Sequence, residues 1–396
     1  VFVFFNHNAI QLNHFDAIVI GVGSMGAATC YHIAERGYRV LGLEQFTIPH
    51  TLGSHAGQSR IIRKAYFEHP DYVPLLQRAY RNWQKMELQT NEQVYFKTGL
   101  LYHGPANHPV IKGVLDAACM HNIEIKELTH KQSSGNYNQF MIPHNFKTVF
   151  EPEAGCIRPE KAISLYTREA IKNGAVINSN EPVITWKKRG DEIEVVTAKN
   201  SYFTEKLVIT AGAWAGKMIS SLIDKLKISR QMILWVKPTE QKIFSLHNFH
   251  CWLIADDKRP GALYGFPYLN EKDFGEPEGL KFAWHFAAEE TDPDNVNRDI
   301  KVEEIRQLIN HVSEYIPSVA DAEIVAAKTC LYSNTPDENF IIDHLPGYES
   351  KVTIACGFSG HGFKFVSVMG EILADLAIDG KTALPIEFLS LKRFSK

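Results

Sequence analysis

The chain has 396 residues, 45% hydrophobic and 22% charged, with a formal net charge of -3. That length exceeds one ordinary core and calls for two domains. The near-average composition excludes disordered and fibrous classes, and the small negative charge offers no basic field for nucleic acid. No stretch reaches the length of a membrane span. Val1-Phe2-Val3-Phe4-Phe5 is apolar but lacks a preceding basic region and a following cleavage site, so it is a poor signal peptide and residues 1–13 read as a loose extension. Cys30, Cys119, Cys156, Cys251, Cys330 and Cys356 show neither metal-ligand nor disulfide-framework spacing, so no metal is expected and a reducing cytoplasm fits.

In chain order, Phe15-Asp16-Ala17-Ile18-Val19-Ile20 reads as a buried strand. It runs into Gly21-Val22-Gly23-Ser24-Met25-Gly26, a helix over residues 27–36 with Gly37 as its stop, and a second strand over residues 40–43. Gly21 permits the tight turn, Gly23 lets a pyrophosphate reach the backbone, and Gly26 lets helix and strand pack closely. The helix N-terminus offers amides and positive dipole. Glu44 follows at about 20 residues, where an acid takes ribose hydroxyls and disfavours a 2′-phosphate. This order of parts predicts a dinucleotide-binding fold, without separating FAD from NAD.

Residues 53–66, Gly53-Ser54-His55-Ala56-Gly57-Gln58-Ser59-Arg60-Ile61-Ile62-Arg63-Lys64-Ala65-Tyr66, pass from a glycine loop to two arginines three apart. As a helix, Arg60 and Arg63 would share a face, and paired guanidinium groups suit a carboxylate. Composition alone favours a solvated basic helix start. Residues 72–88 have helical spacing, residues 94–102 read as strands, and residues 103–150 read as a mixed excursion into another domain. A helix is expected over 159–173, strands over 176–196, and a buried strand over 206–211 ending in the turn Gly212-Ala213-Trp214.

Residues 226–325 hold alternating segments such as Ala262-Leu263-Tyr264-Gly265-Phe266, and a helix over 303–315. In Leu280-Lys281-Phe282-Ala283-Trp284-His285-Phe286, strand alternation puts Leu280, Phe282, Trp284 and Phe286 on one face and Lys281, Ala283 and His285 on the other. Taken alone, the pattern favours solvent exposure of the polar face. In residues 327–337 the lone Cys330 reads by itself as a small buried hydrophobe. The end of the chain gives a strand over 352–355, the loop Gly357-Phe358-Ser359-Gly360-His361-Gly362, then Phe363-Lys364-Phe365 and a helix over 365–378. Its three glycines let N-terminal amides approach a ligand, while Lys364 between phenylalanines either snorkels or serves a site. The expected class is α/β: a discontinuous Rossmann-type domain (14–95, 152–225, 326–396) and a mainly antiparallel β domain (96–151, 226–325).

Gly-Ser-His-x-Gly-x-x-Arg-Ile-Ile-Arg, Lys-Thr-Cys-x-Tyr-x-x-Thr-x-Asp-x-x-Phe-Ile-Ile-Asp and Gly-Phe-Ser-Gly-His-Gly-Phe-Lys-Phe occur in one order. That order resembles the monomeric sarcosine oxidase family, which includes N-methyltryptophan oxidase, from about Phe15 to Phe394. The resemblance implies FAD held covalently through Cys330. It implies that Arg63 and Lys364 hold a substrate carboxylate, that Lys281 activates oxygen, that His285, Tyr264 and Tyr332 line the substrate cavity, and that Arg60 lies near the flavin ring. The cofactor contacts it implies are Gly21, Gly23, Ser24, Met25, Gly26, Glu44, Gln45, Ser54, Arg60, Ala211, Gly212, Trp214, Cys330, Gly357, Gly360, His361, Gly362 and Lys364. The implied reaction is oxidation of sarcosine or a related N-methyl amino acid to the primary amino acid, formaldehyde and hydrogen peroxide. A monomeric cytoplasmic enzyme is expected, with no nucleic-acid or membrane partner. Competing expectations are an N-methyltryptophan oxidase, a dehydrogenase that passes electrons to a carrier, and a flavin-binding sensor. Retention of Lys281 argues against the dehydrogenase, and retention of the carboxylate and oxygen residues against the sensor. Ala56 stands where the family commonly has histidine, Gln58-Ser59 where it has Asp-Thr, and residues 271–278 form a longer, more polar segment; these departures bear on the substrate side chain.

Overall fold

The computed structural model describes residues 13–286 and 288–394. They form two compact units, one built from 13–55, 160–227 and 333–394, the other from 56–159, 228–286 and 288–332.

In the first unit five strands run parallel, in the order Val176–Asn178, Val40–Leu43, His14–Ile20, Ser201–Ile209 and Val352–Cys356. Ile341–His344 pairs antiparallel outside Val352–Cys356, and the hairpin Val183–Arg189/Glu192–Thr197 joins the first half of Ser201–Ile209. The central strands are buried on both faces, which is why they read as unbroken apolar runs. Ile18, Ile20, Leu41, Leu207, Ile209 and Ile354 anchor this core. Helices Ser24–Glu35 and Val366–Asp379 touch closely enough that a Cβ on Gly370 would meet the Ala28 backbone at 2.6 Å. All five parallel strands end on the same edge, so their C-terminal loops collect there.

The second unit is an eight-stranded sheet in the order Glu323–Asn334, Lys227–Lys237, Gly279–His285, Ala262–Leu269, Cys251–Ile254, Leu100–Pro105, Phe146–Glu151 and Lys126–Leu128. Cys251–Ile254 runs parallel to Leu100–Pro105; the neighbouring ladders on either side are antiparallel. One face packs Leu101, Leu234, Trp252 and Phe282 against Leu308 and Val312 of helix Val302–Ser313. A small sheet of Arg60–Ile62, Gly155–Ile157 and Tyr95–Phe96 lies in the same unit.

The units divide the chain differently from the sequence reading. Residues 56–95, 152–159 and 326–332 lie in the second unit, because Arg60–Ile62 pairs with Gly155–Ile157 and Glu323–Asn334 joins the large sheet. Residues 60–62 are strand, not helix: β-branched Ile61 and Ile62 favour it, and Arg60 and Arg63 do not stack along one helical face. The mixed region 103–150 contains helices Pro109–His121 and His130–Asn136, the first with proline in its first turn and the second with a Thr129/Gln132 capping box. Of the supposed N-terminal extension, residues 1–12 lie outside the described residues.

Candidate functional site

The loops at the strand ends of the first unit carry the fingerprint residues. Gly21 has φ 88°, and a Cβ there would sit 2.7 Å from the Thr210 carbonyl oxygen. A Cβ on Gly26 would come within 1.9 Å of the Gly21 carbonyl oxygen. Gly23 is open: the nearest atom to its would-be Cβ is His55 Nδ1 at 4.0 Å, directly before helix Ser24–Glu35. A closed turn, a closed packing contact and an open backbone over a helix N-terminus are what a pyrophosphate requires, so these residues fit a dinucleotide.

Glu44 follows the second strand and is buried. Its two oxygens accept from Val22 N at 2.8 Å and Phe46 N at 3.0 Å. Burial pushes this carboxyl above its ordinary range, and the backbone amides of Phe46, Val22 and Gln45 oppose the shift. Gln45 is half-buried and Ser54 exposed. Thr210 Oγ1 donates to Gly21 O at 2.7 Å, which holds Ala211, Gly212 and Trp214 beside the fingerprint loop; the Trp214 ring meets Phe46 edge-on at 5.4 Å. In the last loop Gly357 and Gly360 have φ 65° and 77°. His361 Nε2 lies 2.9 Å from Glu338 O, and Gly362 leads into Phe363–Phe365. Lys364 does not snorkel: it is buried and donates from Nζ to His361 O at 2.6 Å.

In the second unit, ladder register puts Ile233, Trp235, Tyr264, Lys281, Ala283 and His285 on one face of the large sheet. Cys330 and Tyr332 pack on that face with Ile233, Trp235 and Ala283. The alternation read from Leu280 to His285 holds, but its polar face is not solvated. Lys281 has 0% exposure, and its ammonium donates to Gly57 O at 2.5 Å, Ser59 O at 2.7 Å and Ser59 Oγ at 3.0 Å. Its Nζ also lies 4.5 Å from the Phe266 ring centroid. Three oxygen acceptors thus match the three donors of the buried ammonium.

His285 Nδ1 is 3.1 Å from the Tyr332 hydroxyl, which also meets Tyr264. Burial raises both tyrosines, so they stay neutral donors. The Cys330 thiol is likewise pushed up by burial, while Arg60 and Lys281 pull it back. Arg60 is half-buried and donates to Ser59 O at 2.8 Å and Ala56 O at 2.6 Å.

Arg63 is not a solvated cation. It is 3% exposed, donates to Glu68 at 2.5 and 2.7 Å and to Ala65 O at 3.1 Å, and lies 4.2 Å from the centroids of both Tyr66 and Phe67. Burial lowers its basicity, but Glu68, Tyr102 and Tyr66 together more than offset that. Glu68, Glu151, Gln58 and Trp235 are contributors that the sequence reading missed. Glu151 is buried, accepts from Lys64 N and Tyr102 OH at 2.6 Å each, and pins the chain just after Arg63. No local spacing connects residues 64 and 151, so nothing in the sequence announced it.

A parallel sheet with a dinucleotide loop, joined in one chain to a mainly antiparallel sheet carrying a buried lysine, defines a dinucleotide-binding enzyme. The family description FAD dependent oxidoreductase matches residues 16–376. The chain is 37% identical over 385 residues to monomeric sarcosine oxidase of Bacillus sp. (strain NS-129), covering 96% of this chain and 97% of the relative. It is 36% identical over 381 residues to that of Streptomyces avermitilis, covering 96% and 98%. It is 30% identical over 384 residues to N-methyl-L-tryptophan oxidase of Yersinia pestis (strain Pestoides F), covering 96% and 99%. The fold matches NikD, an unusual amino acid oxidase essential for nikkomycin biosynthesis, with TM-score 0.82 at 22% identity over 96% and 97% of the two chains. The chain belongs to the monomeric sarcosine oxidase family of FAD-dependent oxidoreductases.

Proposed function

We propose that this FAD-dependent amine oxidase acts on sarcosine or a closely related N-methyl amino acid, giving the primary amino acid, formaldehyde and hydrogen peroxide. The observation that carries the reading is the buried Lys281 ammonium, with Tyr264, His285, Cys330 and Tyr332 on the same sheet face. FAD, when bound, supplies the two-electron acceptor for the amine and returns those electrons to oxygen. The residues to hold it are the Gly21–Gly26 loop, Glu44 and the loops at 211–214 and 357–362, with Cys330 as the covalent anchor.

The protein's own part is positioning and charge. Arg63 and Lys364 are the cations for the substrate carboxylate, and Tyr264 and Tyr332, kept neutral by burial, orient the amine together with His285. Lys281 supplies a fixed positive charge where oxygen gains its first electron. A reducing cytoplasm fits the scattered free cysteines, and a monomer fits the relatives named monomeric sarcosine oxidase.

The test is a substrate panel with a peroxide readout: sarcosine, N-methylalanine, N-methyl-L-tryptophan, glycine and proline. Sarcosine or N-methylalanine should give peroxide and formaldehyde in equal amounts. Anaerobic substrate should bleach the yellow holoenzyme and air should restore it. A preference for N-methyl-L-tryptophan would move the assignment to the other branch of the family; no peroxide from any N-methyl amino acid would end it.

A further inference from the structure

We infer that Gln58 is a positioning residue for Lys281: its side chain clamps a strained turn whose oxygens hold the lysine ammonium. The inference rests on the role proposed for Lys281. Every residue involved lies in the second unit.

Ser59 N donates to Gly57 O at 2.8 Å, and the residue between them, Gln58, has φ 73°. An i to i+2 hydrogen bond about a positive-φ residue is the rarer, strained form of the γ-turn. Glycine usually takes such positions, because a side chain resists that conformation. Here the residue is glutamine, and Gly57 before it also has positive φ, 117°. The turn aims three oxygens at one point: Gly57 O, Ser59 O and Ser59 Oγ all accept from Lys281 Nζ.

The Gln58 side chain explains why the strain persists. The residue is buried, and its Nε2 donates to Gly275 O at 2.5 Å and Pro277 O at 2.9 Å. Its Oε1 accepts from Trp235 Nε1 at 2.7 Å. Two carbonyls need donors and an indole N–H needs an acceptor, so only this carboxamide orientation satisfies all three. Trp235 is the ladder partner of Lys281, and residues 275 and 277 lie in the connection that enters the Lys281 strand. The carboxamide therefore ties the turn to both flanks of the lysine it serves. An aspartate at this position, as in the family pattern, has no N–H for the two carbonyls. Gln58 is thus matched to the carbonyls of residues 275 and 277 in this chain.

The holoenzymes to compare are wild type, Gln58→Ala, Gln58→Gly, Lys281→Met and the Gln58→Ala/Lys281→Met double variant. Each is reduced with dithionite and mixed with oxygen by stopped flow, and each is separately reduced by substrate without air. Misplacing a charged group by about 1 Å costs on the order of a hundredfold, so Gln58→Ala should slow reoxidation by about ten- to a hundredfold. Its anaerobic reduction by substrate should stay near wild type. Gln58→Gly, which adopts φ 73° without strain, should recover much of the loss. The Ala change should add nothing on the Lys281→Met background. Hydrogen exchange at the Ser59 amide, measured without cofactor, should quicken by about tenfold or more in Gln58→Ala as the turn opens.

Wild-type reoxidation in Gln58→Ala, with Lys281→Met slow, would overturn the proposal alone. Equal slowing of both half-reactions in the Ala and Gly variants would overturn it as a general loss of structure. Wild-type reoxidation in Lys281→Met would show that the role of Lys281 itself is wrong, and the proposal would fall with it.

Discussion

Arg63 holds both oxygens of Glu68, at 2.5 and 2.7 Å, although these two residues stand only five apart in sequence. The pair is nearly dry, with side-chain exposures of 4% and 13%. Arg63 is also the cation proposed for the substrate carboxylate, so Glu68 already occupies the Nη2 amino group that a substrate must share or take over.

Neutralising Glu68 therefore has two opposed consequences. Glu68→Gln leaves a buried guanidinium without its charge partner, which should destabilise the protein by about 3 kcal/mol. A small carboxylate ligand should then restore stability more strongly than it does in wild type. Melting temperatures with and without a non-reactive carboxylate analogue of sarcosine check this. An equal or smaller ligand-induced gain in the variant would mean that Arg63 does not meet the carboxylate.

Arg63→Ala and Lys364→Ala should each cost roughly 2–4 kcal/mol of transition-state binding for an N-methyl amino acid. Lys364 is buried with its ammonium on His361 O, and in the proposed function it and Arg63 each bind the carboxylate through charge-assisted hydrogen bonds. The loss is read as kcat/KM, beside that of an N-methyl amine lacking a carboxylate. Equal losses for both substrate types would contradict the assignment.

Most of the architecture was legible because it rests on local rules. The Gly21–Gly26 turn, the β-branched parallel strands and the alternation from Leu280 to His285 are periodic or punctuated features that short-range sterics impose. The burial of Lys281 was not legible from alternation, because polarity reports only that a face is polar. What buries it is a turn more than 220 residues away in sequence, whose carbonyls replace water. Arg60 and Arg63 misled for a related reason: their spacing of three fits a helix, but pairing of Arg60–Ile62 with Gly155–Ile157 overrides it. The Arg63–Glu68 and Ala65–Glu151 contacts hang on the path the chain takes after that strand.

Glu44 gives a pH-dependent test of the nucleotide site. Its folded-state pKa lies above 4.5 because burial disfavours the charged form. The neutral carboxyl therefore favours the fold at pH below 4.5, and that contribution is lost as pH rises through the folded value. A glutamine in its place would not titrate. In protein without cofactor, the melting temperature of Glu44→Gln minus that of wild type should grow more positive as pH rises above 4.5. If Glu44 serves the nucleotide as proposed, the same variant should bind FAD more weakly at neutral pH, since an amide would replace the carboxylate acceptor for the ribose. A melting-temperature difference that does not move with pH would show that Glu44 is not strained by its burial.

Cys330 carries the prediction about covalent attachment. Acid precipitation of matured protein should leave the yellow colour in the pellet, and mass spectrometry should place it on the peptide containing Cys330; Cys330→Ser should release all of it. The environment of the thiol sets how fast attachment occurs. Burial raises its pKa and makes it a poor nucleophile, whereas Arg60 and then Lys281 act in the opposite direction. Removing either cation leaves burial less opposed and the thiolate scarcer. Arg60→Ala and Lys281→Met, prepared without cofactor and then given FAD, should bind it but attach it more slowly than wild type. The deficit should shrink as pH is raised, because higher pH restores thiolate where the cations no longer help. Free flavin from fully matured wild-type protein would rule out the anchor. A slow variant whose attachment rate ignores pH would show that the two cations serve the geometry of the bound flavin rather than the ionisation of Cys330.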